Sequence, residues 1–373
     1  MDKYLHIVCL EIPYPADYGG VIDLFYKIKS LHKLGIKIHL HCFTKDHKPQ
    51  DELNKYCETV NYYPRKKNNS SFSLRTPLII NSRVNANLIS NLQKDNHPVL
   101  LEGIHCTYYL KTGQLNNRKI IVRLHNTEFE YYKQLAQQER DILIKMYYLN
   151  ESRLLKKYEN KIANKATFLS VSNQDVVLYK QLFKAENITF LPVFLPYSIV
   201  CGKEGKGNFC LYNGNLAINE NEEAALWLLK HVFSKLAIPF VIAGRNPSKK
   251  LQQLTHRHQH TYLVANPTDK EMQDMIGKAH VHVLPSFNNT GIKLKLLNAM
   301  FNGRHCLVNK AAVKGSEIEI FCHIADDALS FQKKIESLYL LPFTEQEILQ
   351  RQDLLQTIYN NEKNAKELMT FLW

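Results

Sequence analysis

The residues best suited to chemistry lie in the run PSFNNTGIKLKLLNAMFNGRHCLV, Pro285 to Val308. Its pattern predicts a short loop, a helix and a strand. Thr290-Gly291 opens the helix, Lys293 and Lys295 fall in its first turns, and Gly303 stops it. Two lysines at a helix N-terminus oppose the macrodipole, whose positive end favours anions. The arrangement makes sense when a phosphate sits between the ammonium groups and the backbone N–H groups, so a nucleotide or nucleotide sugar is expected there. Residues i and i+2 of a helix do not share a face. Lys293, nearer the start, is therefore expected on phosphate and Lys295 in solvent. Arg245 follows Gly244 at the end of an apolar run, where a guanidinium could fork onto a diphosphate. In the first half His125 ends one apolar run and Glu102 ends another, Val99-Leu100-Leu101. Glu102 is a candidate for lining a cleft. Glu128 and Glu130 are expected as carboxylates that favour a helix N-terminus.

These residues need a scaffold that gathers strand ends. Tyr4–Leu10 is a near-continuous apolar run, as in a strand buried on both faces of a parallel sheet. Gly19-Gly20 then opens a helix with Val21, Leu24, Phe25, Ile28, Leu31 and Leu34 at helical spacing, and Gly35 stops it. Ile36–Phe43 is the next strand, followed by Pro98–Glu102, Lys119–Leu124 and Thr167–Val171. A tyrosine-rich helical stretch covers about 128 to 164. Residues 191–208 hold two prolines and three glycines and read as a linker. A second alternating array follows, with strands at Phe209–Tyr212, Phe240–Ala243, His280–Leu284 and His305–Val308. Gly214 makes a turn after the first of these. Asn219 with Glu222 suggests a capping box, and Thr268 or Asp269 a cap for the helix Lys270–Lys278. Residues 345–373 read as helical throughout. The expected class is α/β, two doubly wound domains facing each other, residues 1–192 and 208–354. Ligands of such sheets bind at the carboxyl ends of strands. Gly19, Gly20, Glu102, His125, Gly214, Gly244, Arg245 and the stretch Asn289–Lys295 all fall at such ends.

Composition sets outer bounds. The chain has 373 residues, 45% of them hydrophobic, more than one core usually holds. Its net charge is +13. Residues 1–190 contribute +10 of this, which suggests an anionic partner in the form of a phosphorylated substrate, an acidic membrane face or nucleic acid. Nucleic acid ranks last, because the charge is spread through folded elements and no nucleic-acid module is visible. Eight cysteines without a C-x-x-C pair read as thiols in a reducing compartment. The N-terminus does not read as a signal peptide, and no apolar run is long enough to span a bilayer. The expected location is the cytoplasm, with attachment to the inner membrane face open. The segment Arg65–Arg83 mixes five basic residues with Phe72, Leu74, Leu78, Ile79 and Ile80. It reads either as a membrane or lipid-acceptor surface or as a loop and helix packed into the core. There is no Asp-x-Asp motif and no credible histidine cluster, so no metal is expected.

The ordered motifs resemble those of the retaining GT-B glycosyltransferases, the large family that builds lipopolysaccharide, capsule and glycolipid sugars. The resemblance covers almost the whole chain. It rests on Pro13-Tyr14-Pro15 with Gly19-Gly20, on Arg123–Glu128, on Gly244–Pro247, and on Pro285-Ser286 with Gly291–Met300. It implies two Rossmann-like domains, with the C-terminal helix, about 355–373, crossing back to the first. It implies a nucleotide-sugar donor in the second domain and a glycan or lipid-linked acceptor in the first, with no cofactor. Gly19 and Gly20 would lie beneath the donor phosphates and His125 beside the transferred sugar. Gly214, Arg245, Thr290, Gly291, Ile292, Lys293 and Asn298 would hold the donor, with Glu102 and Asn126 on the acceptor side. Many relatives carry glutamates where this chain has Thr290 and Asn298, and the second binds the donor ribose. Asn298 is therefore expected on the ribose as a variant ligand. The same departure motivates the alternative of a catalytically impaired scaffold protein in a glycan-assembly complex.

Overall fold

The computed structural model describes residues 2–16, 19–45, 48–66, 73, 75–115 and 117–373. The chain divides into two compact units, residues 1–196 with 359–373, and residues 197–358.

The first unit is built on a parallel sheet of β1 (Tyr4–Cys9), β2 (Lys37–Thr44), β3 (Thr59–Pro64), β4 (Val99–Glu102), β5 (Ile120–Leu124), β6 (Thr167–Ser170) and β7 (Ile188–Phe190). Their order is β3-β2-β1-β4-β5-β6-β7. The chain winds outward one way from β1 and then restarts at β4 on its other side, so the topological switch lies between β1 and β4. Alternate strand residues feed separate cores on the two faces. Ile7, Cys9 and Ile121 pack with Leu24 and Ile28 of α1 (Gly19–Lys33), whereas Val8 and Val122 pack on the opposite side.

The helical stretch expected over 128–164 is two helices. Glu139 accepts the N–H groups of Arg140 and Asp141, and Asp141 in turn caps the second helix by accepting from Leu143 and Ile144. This local bonding breaks the run into α2 (Glu128–Gln138) and α3 (Ile142–Ile162), which pack side by side. α4 (Asn173–Phe183) follows β6. Residues 191–195, expected in a linker, are buried instead. Leu191 and Phe194 belong to the first core, and the Leu191 and Pro192 carbonyls accept from Arg123. Of the Arg65–Arg83 segment, 67–72 and 74 lie outside the described residues. Ile80 is fully buried and Ile79 packs against the same core, so that part follows the core-packed reading.

The second unit repeats the plan with β8 (Cys210–Asn215), β9 (Phe240–Arg245), β10 (Thr261–Ala265), β11 (Val281–Val283), β12 (His305–Val308) and β13 (His323–Ile324). The order β10-β9-β8-β11-β12-β13, all parallel, puts its switch between β8 and β11. The helices are α5 (Asn219–Trp227), α6 (Lys249–Thr255), α7 (Asp269–Lys278), α8 (Leu294–Asn302), α9 (Ala328–Leu340) and α10 (Glu345–Ile358). Thr268 and Glu271 form the capping box of α7. The capping box expected from Asn219 and Glu222 does not form. Ile218 occupies the N-cap, and Glu222 accepts from the Ser248 N–H at 3.3 Å. The C-terminal helix expected as continuous breaks at Tyr359-Asn360, where Asn360 caps α11 (Asn361–Leu372). α11 belongs to the first unit and packs on α1 through Ala365, Leu368 and Leu372. Four strands went unforeseen: β3, β7, β10 and β13. All are edge strands of the two sheets.

Candidate active site

In the first unit the strand ends at the switch hold a buried charged cluster. Asp23 and Lys27, one helical turn apart on α1, face the sheet. Glu102 ends β4, Arg123 lies on β5, and His125 follows it. The Lys27 ammonium stands 3.0 Å from Asp23 Oδ2 and 2.7 Å from Glu102 Oε1. Arg123 reaches Asp23 Oδ1 at 3.2 Å, and the Phe194 N–H donates to the same oxygen at 2.7 Å. The second Glu102 oxygen bonds His125 Nε2 at 2.9 Å. Burial pushes the Asp23 carboxyl up, but Arg123, Lys27 and His125 together outweigh it and hold it well below the usual carboxylate range. Glu102 is likewise held low: burial opposes, and Lys27 and His125 prevail. Two carboxylates and two cations balance, which is the condition for burying such charges.

Glu102 therefore does not line a cleft as expected. It is wholly buried, and both its oxygens are spent on Lys27 and His125. Its work is to fix the His125 ring, which keeps a partly exposed edge. Asp23, Glu102 and His125 offer ligand atoms within 4.8 Å of one another, a spacing a divalent ion could use. The Lys27 ammonium already stands between the two carboxylates, so an ion would have to displace it.

Asn126 is half-buried and its side chain bonds Glu128. Glu128 and Glu130 fall in the first turn of α2 as expected, but burial pushes the Glu128 carboxyl up to about 7, against the pull of that hydrogen bond. Gly19 and Gly20 are the first residues of α1, and the space a Cβ of Gly20 would fill is open.

In the second unit the loop after β11 and the start of α8 gather beside α5. Glu220 of α5 accepts from Ser286 Oγ at 3.0 Å and from Asn288 Nδ2 at 3.1 Å, and Lys293 Nζ lies 3.7 Å from it. Asn288 Oδ1 accepts both the N–H and the hydroxyl of Thr290, each at 2.8 Å. Gly291 takes a φ of +61°, a region that favours glycine, and turns the chain into the helix. Lys293 donates to the Thr290 carbonyl at 2.9 Å. Lys295, expected in solvent, turns inward and meets Tyr212 Oη and Asn221 Oδ1, both at 3.0 Å. Burial drives its amine down to about 7, with Glu220 pulling up and Lys293 pushing further down. The helical spacing rule failed here because Lys293 is the N-cap, outside the helix proper. The two side chains are therefore not held to the angular spacing of one helix.

Ile292 is half-buried in the same loop. Asn298 lies on α8 with its Oδ1 accepting from Asn302 Nδ2 at 2.8 Å. Gly214 and Gly244 pair at the carboxyl ends of β8 and β9, and a Cβ on Gly244 would stand 1.9 Å from the Gly214 carbonyl oxygen. Arg245 is exposed beyond them, 3.7 Å from Asp269. Sequence reasoning missed Asp23, Lys27, Arg123, Glu220, Tyr212 and Asn221. For Asp23 and Lys27 a signal existed: opposite charges one turn apart beside the apolar stripe of α1.

Two doubly wound parallel units, the last helix returning to the first, define the GT-B fold. Residues 207–340 match the family model "Glycosyl transferases group 1". It is 28% identical over 325 residues to an uncharacterised 44.6 kDa protein in the cps region of Klebsiella pneumoniae, covering 79% of this chain and 80% of that one. Among solved structures it resembles sucrose-phosphate synthase from Thermosynechococcus elongatus, with TM-score 0.72, 13% identity and coverage of 99% and 98% of the two chains. It also resembles Anabaena Alr3699/HepE in complex with UDP and glucose, with TM-score 0.65, 12% identity and coverage of 100% and 99%.

Proposed function

We propose that the chain moves a sugar from a nucleotide-sugar donor to a glycan or lipid-linked acceptor, with retention of anomeric configuration. One observation carries the reading. The glycosyl transferases group 1 domain falls on the unit whose switch point gathers Lys293 and Lys295 at the start of a helix. In this reading the donor diphosphate lies against these two ammonium groups and the Thr290-Gly291-Ile292 backbone, with Arg245 adding charge. Asn298 meets the ribose by giving up its bond to Asn302. The glycine pair Gly214 and Gly244 keeps the strand ends low enough for close approach, and Gly19 and Gly20 leave backbone open to the donor phosphates. His125, fixed by Glu102, stands by the transferred sugar, with Asn126 toward the acceptor.

The bond from the anomeric carbon to the diphosphate breaks, a bond to the acceptor oxygen forms, and the acceptor proton passes to the departing diphosphate. Preorganised cations stabilise the charge that develops on that leaving group. No metal is required, because Lys293 and Lys295 supply the positive charge. The relative's place in a cps region supports a capsule-type polysaccharide as the product.

The test is a transfer assay with UDP, GDP and dTDP sugars on lipid-linked acceptors, with and without a chelator, the product anomer read by NMR. Retention, undiminished by the chelator, is expected. An inverted product would overturn the stereochemical reading. Donor binding without turnover would favour the scaffold reading that Thr290 and Asn298 motivate.

A further inference from the structure

We infer that Arg65, Arg83 and His105 form a site in the first unit for an acidic group of the acceptor, a carboxylate or a phosphate borne by its sugar. This inference rests on the transferase reading proposed above and names the class of acceptor.

The three residues meet at the switch of the first sheet. Its strands β1 to β5 are parallel, so the residues that follow them lie along one edge. Arg65 follows β3, and His105 lies in the turn after β4. Arg83 arrives from the short helix Leu78–Asn81 and ties itself to the end of β1. Its Nε donates to the Leu10 carbonyl at 3.1 Å and its Nη1 to the Ile79 carbonyl at 2.6 Å. The Lys66 N–H donates to the Ser82 carbonyl at 2.9 Å, so the segments that carry the two arginines run together. Gly103, at a φ of +77°, folds the turn after β4 back on itself. A Cβ there would meet His105 Nδ1 at 2.8 Å and Leu10 Cδ2 at 3.6 Å. Leu10 thus has Arg83 on its carbonyl and His105 near its side chain. The gap between β1 and β4 is where sheets of this kind bind ligands.

The charge at this place is unbalanced, unlike that of the neighbouring Asp23 and Glu102 cluster. Among the described residues neither arginine has a carboxylate partner. Arg83 is 3% exposed and donates only to carbonyls, which leaves Nη2 for a ligand. Arg65 is half-buried, and its Nε is buried without a partner. Burial lowers the Arg83 guanidinium to about 10 and Arg65 pushes the same way, against smaller pulls from Cys106, Glu11 and Tyr132, so Arg83 stays charged at pH 7. Burial, Arg83, His125 and Arg65 together hold the His105 imidazole well below its ordinary value, and its Nδ1 is buried without a partner. Taking such groups out of water without a counter-charge is costly. An oxyanion among them would offset that cost, and a guanidinium fork matches carboxylate and phosphate alike.

The site adjoins the residue placed by the transferred sugar, because His125 acts on His105. Tyr132 of α2 acts on Arg83, and its ring meets Tyr131 and Tyr148 edge-on at 6.1 and 5.9 Å. Aromatic rings beside fixed charges suit a sugar that carries an acid. Arg83 also serves the fold by joining Leu10 to Ile79. Arg65 makes no side-chain hydrogen bond among the described residues, so packing does not account for it, and it is the residue to vary.

The experiment is titration of the full chain, without donor, with octyl glucoside, octyl glucuronide and octyl glucoside 6-phosphate below their micellar concentrations. Wild type should bind one acidic glycoside roughly 10- to 100-fold more tightly than the neutral one, the worth of a hydrogen bond to a charged group. Which one it prefers tells carboxylate from phosphate. Arg65→Met should remove the preference and Arg65→Lys should keep part of it, because an ammonium holds charge without the fork. Both variants should melt like wild type and bind UDP as wild type does. Equal binding of neutral and acidic glycosides by wild type would overturn the inference. So would a preference that survives Arg65→Met, or binding of inorganic phosphate with no preference among the glycosides. These titrations need no donor, so a failure of transfer with every nucleotide sugar would sink the proposed activity separately.

Discussion

Lys295 gives the most direct test of the donor site. Its amine drops from an ordinary value of 10.5 to about 7, chiefly because burial strips water from the ammonium. That drop corresponds to at most about 5 kcal/mol of lost preference for the charged form, and less in practice because Lys295 is only partly buried by accessible surface. A diphosphate placed between Lys293 and Lys295 would restore the charge. At pH 8.5 the free amine is roughly 3% protonated, so binding should take up close to one proton. Affinity for a nucleoside diphosphate should then fall with a slope approaching tenfold per pH unit above 7, about 50-fold between pH 7 and 9. Tyr212 Oη, which touches the amine, is pushed far above this window by burial and stays neutral through it. The assay is isothermal titration of UDP, GDP and dTDP in buffers of different ionisation enthalpy, repeated with Lys295→Met. The variant should bind roughly 10- to 100-fold more weakly at pH 7, the worth of a hydrogen bond to a charged group, and should lose the pH slope. A flat profile in wild type, or a slope that persists in Lys295→Met, would refute the placement of diphosphate on this amine.

Three further outcomes follow from the packing. Lys27→Met leaves Asp23 and Glu102 buried without their shared cation and should cost about 3–5 kcal/mol, seen by calorimetry as a fall of roughly 10 °C. Both carboxylates are depressed in the folded state, so their stabilisation is present above their ordinary values of 3.8 and 4.5 and is lost as pH falls through the lower folded values. The gap between Lys27→Met and wild type should therefore close in acid. Glu128 has the opposite sign. Its folded value near 7 means the native state keeps a proton that the unfolded chain sheds above 4.5. Urea unfolding should show Glu128→Gln gaining about 3 kcal/mol on wild type between pH 5 and 8; an equal gap at both would sink the idea. Gly244→Ala forces β8 and β9 apart at their ends, so it should cost about 1–3 kcal/mol and weaken nucleotide binding, with wild-type behaviour as the refuting result.

Much of the architecture was legible because parallel strands buried on both faces leave unbroken apolar runs, as at Tyr4–Cys9 and Ile120–Leu124. The edge strand β3, TVNYYP, breaks its apolar run with Thr59 and Asn61 and left no such trace. The break in the tyrosine-rich helix was hidden because it depends on two side chains, Glu139 and Asp141, bonding local N–H groups. At the site, the segment Thr290–Asn298 stood out by its lysines. The orientation of Lys295 did not, because it hangs on whether the helix starts before or after Lys293. Lys27, Asp23 and Glu220 find their partners 75, 100 and 66 residues away in the chain, in Glu102, Arg123 and Ser286, and such pairings leave no local pattern.

The two units treat buried charge in opposite ways, and the contrast bears on what each does. In the first, Asp23, Glu102, Lys27 and Arg123 sum to zero, and each carboxylate is held ionised by a neighbour. Such a set has little to gain from a further ion, and its product is geometry: it fixes the His125 ring at the end of β5. In the second, Lys293 and Lys295 face a single carboxylate, Glu220, whose oxygens are also occupied by Ser286 and Asn288. Burial drives the second amine toward its neutral form, and Lys293 pushes it further the same way. A site that discharges a lysine when empty is one that an anion would complete. The proposed diphosphate would return that charge to Lys295, and in the same reading the balanced cluster of the first unit serves orientation.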